Sequence, residues 1–598
     1  MNSVTIVIAA ACILAIAYRL YGTFLTAKVL GMPQEPTPAH ALEDGKDYVP
    51  TSRWVTFGHH FAAIAAAGPL VGPVLAAQFG YLPGLVWLLI GAVIGGAVHD
   101  TVVLFASMRQ RGESLSEIAK RKLGPVAGFC TGLAMLFIIT ITMAGLSMVV
   151  LHALERNPWS TFTVGATIPI ALLVGVLIKQ TGNLKLASAL GLLLMLAAIL
   201  VGPSLKDTPL GQALTLDRQT LAIILPVYAF FASALPVWLL LAPRDYLSSF
   251  MKIGVFIALI AGVFLVHPAL QFPAFTEFIH GGGPVIAGPV WPFVSITIAC
   301  GAISGFHAFI SAGTTPKMLD RWSDVKPVAF GAMLVECMVA VLALIAATSL
   351  HPADYFAINA TPEKFQQLGM TVQALPQLSQ EVGLDLAGRT GGAISLAAGM
   401  TYIFKNVPFF QHLAAYFFQF IIMFEAVFIL TAIDAGTRVA RYLIQDFFGD
   451  VYRPLKRLDW LPGVIFASVL ACFFWGFLLY SGNISSIWAL FGVSNQLMAS
   501  IGLIIGATVI LRLHQRAKRW YMLTCLLPLA YLYVTVNVAG VWMIRNVYLA
   551  PGAGHSVLNA VLSITMLVLG AVILLIAMHD WWKTLRRPQM TLAPSAAD

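Results

Sequence analysis

The chain has 598 residues, of which 59% are hydrophobic and only 10% charged, and its mean hydropathy is +0.85. Soluble proteins carry about 25% charged residues, so a water-soluble globular fold is excluded and an all-α polytopic membrane protein is expected. The net charge of +9 does not point to nucleic acid, because cytoplasmic loops of membrane proteins are enriched in Lys and Arg.

A membrane-spanning helix needs about 20 apolar residues. Stretches of that kind lie at 2–24, 55–77, 83–107, 125–152, 161–179, 185–203, 219–242, 251–270, 291–313, 327–350, 412–433, 461–480, 485–511, 520–545 and 556–580, which makes fifteen expected spans. The first lacks a basic leader and is long, so it reads as a retained span, not a cleaved signal. Residues 391–405 are too short and Gly-rich to cross and are expected to form a re-entrant or interfacial piece. The polar stretch 351–390, within an external loop 351–411, reads as a solvated connector. With the N-terminus outside and the C-terminus in the cytoplasm, 28 of the 35 Lys and Arg residues collect on the inner side, as the positive-inside rule requires. The six cysteines all fall in apolar stretches with no CxxC spacing, so neither disulfides nor a thiolate metal site is expected.

Two spans are interrupted. In 55–77 the run Ala67-Gly68-Pro69-Leu70-Val71-Gly72-Pro73 removes helix donors and leaves carbonyls unpaired. In 219–242, Ser233-Ala234-Leu235-Pro236 precedes Trp238, and Pro226 loosens the helix further up. The two run in opposite directions, five spans apart. Interrupted segments in corresponding positions of two halves mark inverted-repeat transporters, with repeats expected at 55–203 and 219–433. Around them lie an extra span and loop (1–54), accessory spans (461–580) and a tail (581–598). Gly68, Pro69, Gly72, Ser233, Pro236, Trp238 and His307 are the expected substrate-binding residues. The stretch 304–317, Ser-Gly-Phe-His-Ala-Phe-Ile-Ser-Ala-Gly-Thr-Thr-Pro-Lys, is too polar for a lipid-facing helix. In membranes, irregular backbone persists only in a protein interior or along a watery cavity. It would be the third span of the second repeat, with Ser311, Thr314 and Thr315 facing the Gly68–Gly72 main chain across a cation-coupling site.

Ionisable residues inside spans each need a partner or a purpose. Asp100, Glu336 and Glu425 are the expected proton carriers, since a carboxylic acid taken out of water keeps its proton closer to neutrality. His59-His60 and His99 are further polar groups. Asp434 and Arg438 are spaced for an ordinary i,i+4 ion pair, and Arg244-Asp245 and Lys317 for boundary anchors or gate pairs. There is no HExxH, P-loop or nucleophile elbow, so no metal, cofactor or enzymatic activity is expected.

The stretches HHFAAIAAAGPLVGPVLAAQFGYLPG (59–84), GAVHD (96–100), LPVWLLLAPRDYLSSF (235–250), GAISGFHAFISAGTTPK (301–317) and FEAVFILTAIDAGTR (424–438) resemble the carbon starvation protein A family from about residue 1 to 580. The resemblance implies a bacterial inner-membrane transporter with the LeuT-like (amino acid–polyamine–organocation) architecture. It implies proton-coupled symport of pyruvate or small peptides during nutrient limitation. The hydroxyls at 311, 314 and 315 leave sodium coupling as an alternative, and a membrane-bound nutrient sensor is the rival class.

Overall fold

The computed structural model describes residues 2–586 apart from 46, 67, 182, 206–207, 236–240, 408–411, 450–451, 458–459, 483, 516–517 and 553–554. Among the described residues it is helical, with no strand beyond two isolated bridges. Eleven helices are long and apolar enough to cross a membrane, from Ser3–Leu30 to Val557–Arg586, and a bent pair makes a twelfth. These correspond to twelve of the fifteen expected spans. The other three are shorter or broken: Arg218–Ala234 has 17 residues, Met251–Val266 is the apolar part of the next helix, and Val290–Thr297 stops well before His307–Ser311.

The bent pair is Arg53–Ile64 and Gly68–Phe79, which meet at 44°. At the bend the Ala66 amide donates to Ile64 O at 2.7 Å, so it does not reach Ala62 O as a continuing helix would. The second break is longer. After Val290–Thr297 the chain runs irregularly until His307. Gly301 sits at φ +80°, where a side chain would be strained, and a Cβ there would fall 2.7 Å from Ala340 Cβ.

The two breaks touch. A Cβ on Gly68 would run into Cys300, and one on Gly72 would lie 2.6 Å from Thr297 O. Small residues allow that approach of backbone to backbone, as they do between membrane helices generally. Around this crossing, Pro125–Leu154, Arg218–Ala234, Ala414–Gly449 and Leu461–Ser481 pack on one another as a four-helix block. Leu241–Val266 packs on Arg53–Ile64, and Ile484–Leu513 packs on Val290–Thr297 and His307–Ser311.

The segment 351–390 departs from a solvated connector. Residues 352–382 form three short helices. Asp354 gathers the amides of Gln373, Ala374 and Leu375 at 2.7–3.3 Å. Tyr355 Oη donates towards Val74 O and Leu75 O, at 2.8 and 3.0 Å, which ties the loop to the second helix of the bent pair. Ala393–Lys405 is a helix of 13 residues, about 20 Å long at 1.5 Å per residue, and nearly all of it is buried.

Candidate functional site

The breaks free polar backbone, and buried side chains take it up. Phe306 N donates to Asn495 Oδ1 at 2.8 Å, and Gly301 N to Glu336 Oε1 at 3.2 Å. Trp87 Nε1 donates to Ile298 O at 3.0 Å. Gln496 donates to Ser295 O. At the first break, Lys252 Nζ reaches 2.7 Å from Ala62 O, the carbonyl the bend left without its amide. Its ammonium also lies 3.9 Å from the centroid of the Phe428 ring. A cation at a helix C-terminus meets the negative end of the helix dipole.

Between the breaks lies a buried carboxylate–imidazole cluster. His99 Nδ1 and His307 Nδ1 each approach a different oxygen of Asp100 at 2.8 Å. On its other side His307 Nε2 stands 3.2 Å from Glu336 Oε2. Asp100, His99, His307 and Glu336 are all fully buried. His307 thus has a carboxylate at each ring nitrogen, and the Nε2–Glu336 approach is a close contact without hydrogen-bond alignment. The outer nitrogen of His99 has no partner among the described residues, and a Cβ on Gly502 would lie 2.5 Å from it.

A second row leads from this cluster to accessible surface. His60 Nδ1 lies 2.8 Å from Thr315 Oγ1, and both residues are buried. His59 Nε2 lies 3.1 Å from Thr314 Oγ1, and both reach accessible surface. Ser311 is buried, and its hydroxyl has no partner among the described residues.

The expected site residues thus fall into several places. Gly68, Pro69 and Gly72 line the crossing of the breaks, where they meet Thr297, Ile298, Cys300 and Gly301. The hydroxyls of Thr314 and Thr315 face His59 and His60, one turn ahead of the bend, whereas the sequence reading had them face the Gly68–Gly72 main chain. Asp100, His307 and Glu336 come together in one cluster. Glu425 is buried on Ala414–Gly449, with neither carboxyl oxygen hydrogen-bonded among the described residues. Ser233 ends Arg218–Ala234, on the four-helix block, with its hydroxyl donating to Phe230 O at 3.0 Å. Pro236 and Trp238 lie outside the described residues. Asp434 does not pair with Arg438, as its i,i+4 spacing suggested. It takes Arg244 at 3.2 Å and the Tyr228 hydroxyl at 2.6 Å, while Arg438 caps Ala232 O and Leu235 O at 3.0 and 2.6 Å.

Two residues escaped the sequence reading. Lys252 had the appearance of an inner-boundary cation, because it opens an apolar run directly after Arg244. Asn495 carried a visible signal, since Ser494-Asn495-Gln496 puts three polar residues in succession inside an apolar span.

This is a multi-pass helical membrane protein in which two broken segments cross beside a buried cluster of carboxylates and imidazoles. The chain belongs to the carbon starvation protein CstA family, whose model matches residues 2–539. It is 75% identical over 597 residues to the peptide transporter CstA of Bacillus subtilis (strain 168), covering 100% of both chains. It is 40% identical over 566 residues to the pyruvate/proton symporter BtsT of Escherichia coli (strain K12), covering 87% of this chain and 79% of that one. Among solved structures, a mutant manganese transporter of Eremococcus coleocola aligns over 90% of this chain and 98% of its own, at 13% identity and a TM-score of 0.44.

Proposed function

We propose that the protein is a secondary transporter that carries pyruvate or short peptides into the cell with protons. The observation that carries the reading is the Asp100–His307–Glu336 cluster. It is buried, it sets two carboxylates against one imidazole, and through Glu336 it holds the amide of Gly301 in the broken segment. A change in its proton content changes a contact that fixes the broken helix, which is what coupling a proton to a conformational cycle requires. The printed names of relatives, one a peptide transporter and one a pyruvate/proton symporter, support the substrate class and the ion. The hydroxyls of Thr314 and Thr315 are engaged by imidazoles, and Lys252 supplies a resident positive charge at the broken end of Arg53–Ile64. Both features favour proton over sodium coupling.

The alternating-access architecture is proposed with it, in the LeuT-like form. The contact between the breaks supports pairing Arg53–Phe79 with 290–311 as the first helices of two inverted repeats. Leu241–Val266 and Ile484–Leu513 then correspond, since each sends a polar side chain, Lys252 or Asn495, to one break. On this pairing the second repeat opens at 290 instead of 219, and the hairpin 158–205 is an insertion in the first. The sorting of Lys and Arg supports an inner-membrane location with the N-terminus outside and the C-terminus inside.

The test is reconstitution in liposomes. Labelled pyruvate or dipeptide should accumulate under an inward proton gradient with no sodium present, and more so as the outer pH is lowered at fixed inner pH. Accumulation only under a sodium gradient would overturn proton coupling, and binding without accumulation would make the protein a sensor.

A further inference from the structure

Below the carboxylate–imidazole cluster, on the inner half of Ala414–Gly449, the balance of charge reverses. Asp434, Arg438, Arg441 and Gln445 follow at intervals of four, three and four residues, so they form one stripe of that helix. Arg244 of Leu241–Val266 joins them from across the packing interface. The side chains of these three arginines are nearly inaccessible, with Arg244 at 1%, Arg438 at 9% and Arg441 at 5% exposure. Among the described residues the buried carboxylate on this stripe is Asp434. One of its oxygens receives both Arg244 and Tyr228, the other has no hydrogen-bond partner among the described residues, and neither Arg438 nor Arg441 pairs with it. Arg438 spends one amino group on the carbonyls that end Arg218–Ala234. The Nε donors of Arg438 and Arg441 have no acceptor among the described residues. Among the described residues, Arg441 lies against the ring of its neighbour Tyr442, 4.6 Å from the guanidinium carbon.

A buried guanidinium left without a counter-charge is costly, and a planar donor fork matches a carboxylate. We propose that Arg438 and Arg441, backed by Arg244, form a carboxylate-binding site on the inner side of the four-helix block. One monoanion there would use the two idle Nε donors and reduce the uncompensated charge. Pyruvate and peptides share a carboxylate, so the site acts as a second station for the substrate, reached after the broken helices and before release. That last step rests on the transport reading.

Two measurements separate the site from that reading. Exchange of labelled pyruvate is followed in right-side-out and inside-out vesicles. Arg441→Gln and Arg438→Gln should each raise the inner-face KM about tenfold, the scale of one lost charge-assisted contact, and leave the outer-face KM within about twofold. Arg441→Lys, which keeps the charge and loses the fork, should fall between. An unchanged inner-face KM, or equal shifts on both faces, in a variant that melts like the wild type overturns the proposal. If the glutamine variants do not fold, the lysine variants decide, and an unshifted inner-face KM in them overturns it. The second measurement needs no transport. Potassium acetate, compared with potassium chloride at equal ionic strength, should raise the melting temperature of the detergent-solubilised wild type and not that of the Arg438→Gln/Arg441→Gln double variant. An equal rise in both, or none in either, overturns the site. A larger rise with inorganic phosphate, or with phosphatidylglycerol nanodiscs, assigns it to a phosphoryl anion and overturns the carboxylate. Loss of acetate stabilisation in the double variant, with no uptake by the wild type, supports the site and defeats the transport reading.

Discussion

Two buried charge clusters, one beside the broken helices and one on the C-terminal half of Ala414–Gly449, are opposite in kind. Asp100, Glu336 and His307 put two carboxylates on one imidazole, so the group is short of positive charge and accommodates a proton. Arg244 pairs with Asp434, and Arg438 and Arg441 add two further buried guanidinium groups on the same stripe, so that group accommodates an anion. Desolvated charge demands a partner whatever its sign. An acidic cluster can meet that demand with the smallest available cation, whereas arginines do not give up their protons and must find a counter-ion. The same membrane interior thus favours a proton site in one place and a carboxylate site in the other.

The contrast can be broken most sharply at Asp100. Asp100→Asn removes the charge and one of the two acceptor oxygens that the histidines use and should lower proton-driven accumulation roughly 100-fold, the scale of a lost proton-transfer group. Inner-face pyruvate affinity should be unchanged; an inner-face loss as large as that of Arg441→Gln would merge the two clusters into one site. Asp434→Asn tests the other side. It leaves buried Arg244 without its carboxylate and should cost about 3 kcal/mol, measured as a lower melting temperature in detergent that acetate partly restores. Lys252→Met leaves Ala62 O unpaired and should cost about 1–3 kcal/mol, with proton-driven uptake falling roughly tenfold. If uptake then becomes sodium-dependent, the lysine stood in for a metal cation.

The smaller effects sharpen the second row. Thr315→Ala breaks a buried contact to His60, whereas Thr314→Ala breaks an accessible one to His59. Uptake should fall severalfold in the first and within about twofold in the second, since buried hydrogen bonds carry the larger penalty when broken. Equal, complete loss in both would restore the reading in which the three hydroxyls ligate a cation. Glu425 belongs to neither cluster. Glu425→Gln should therefore leave proton-driven uptake within about twofold, because neither oxygen has a hydrogen-bond partner to lose. A loss as large as that of Asp100→Asn would make it a third proton station.

Composition and the periodic return of apolar runs determined the fold class, most of the spans and the presence of a break in 55–77, although the bend falls between Ile64 and Gly68 and the Gly68–Pro73 run itself is helical. Those properties are local: about 20 apolar residues, or two prolines and two glycines within one span, dictate their consequences wherever they occur. The residues of the acidic cluster were also legible one at a time, because an ionisable group inside a span declares itself. What tertiary structure alone decided was their company. Asp100 and His307 lie 207 positions apart in the chain, and nothing local states that Glu336 closes the same group from a third helix. The partner of the first break was likewise hidden. Pro236 made 219–242 look interrupted, yet the segment that touches Gly68 and Gly72 is 297–301. Arg438 likewise had the spacing of a salt bridge with Asp434 and instead caps a neighbouring helix. Spacing along one helix says which groups can meet on it. Whether they do depends on what other helices bring to the same place, and only the packed chain settles that.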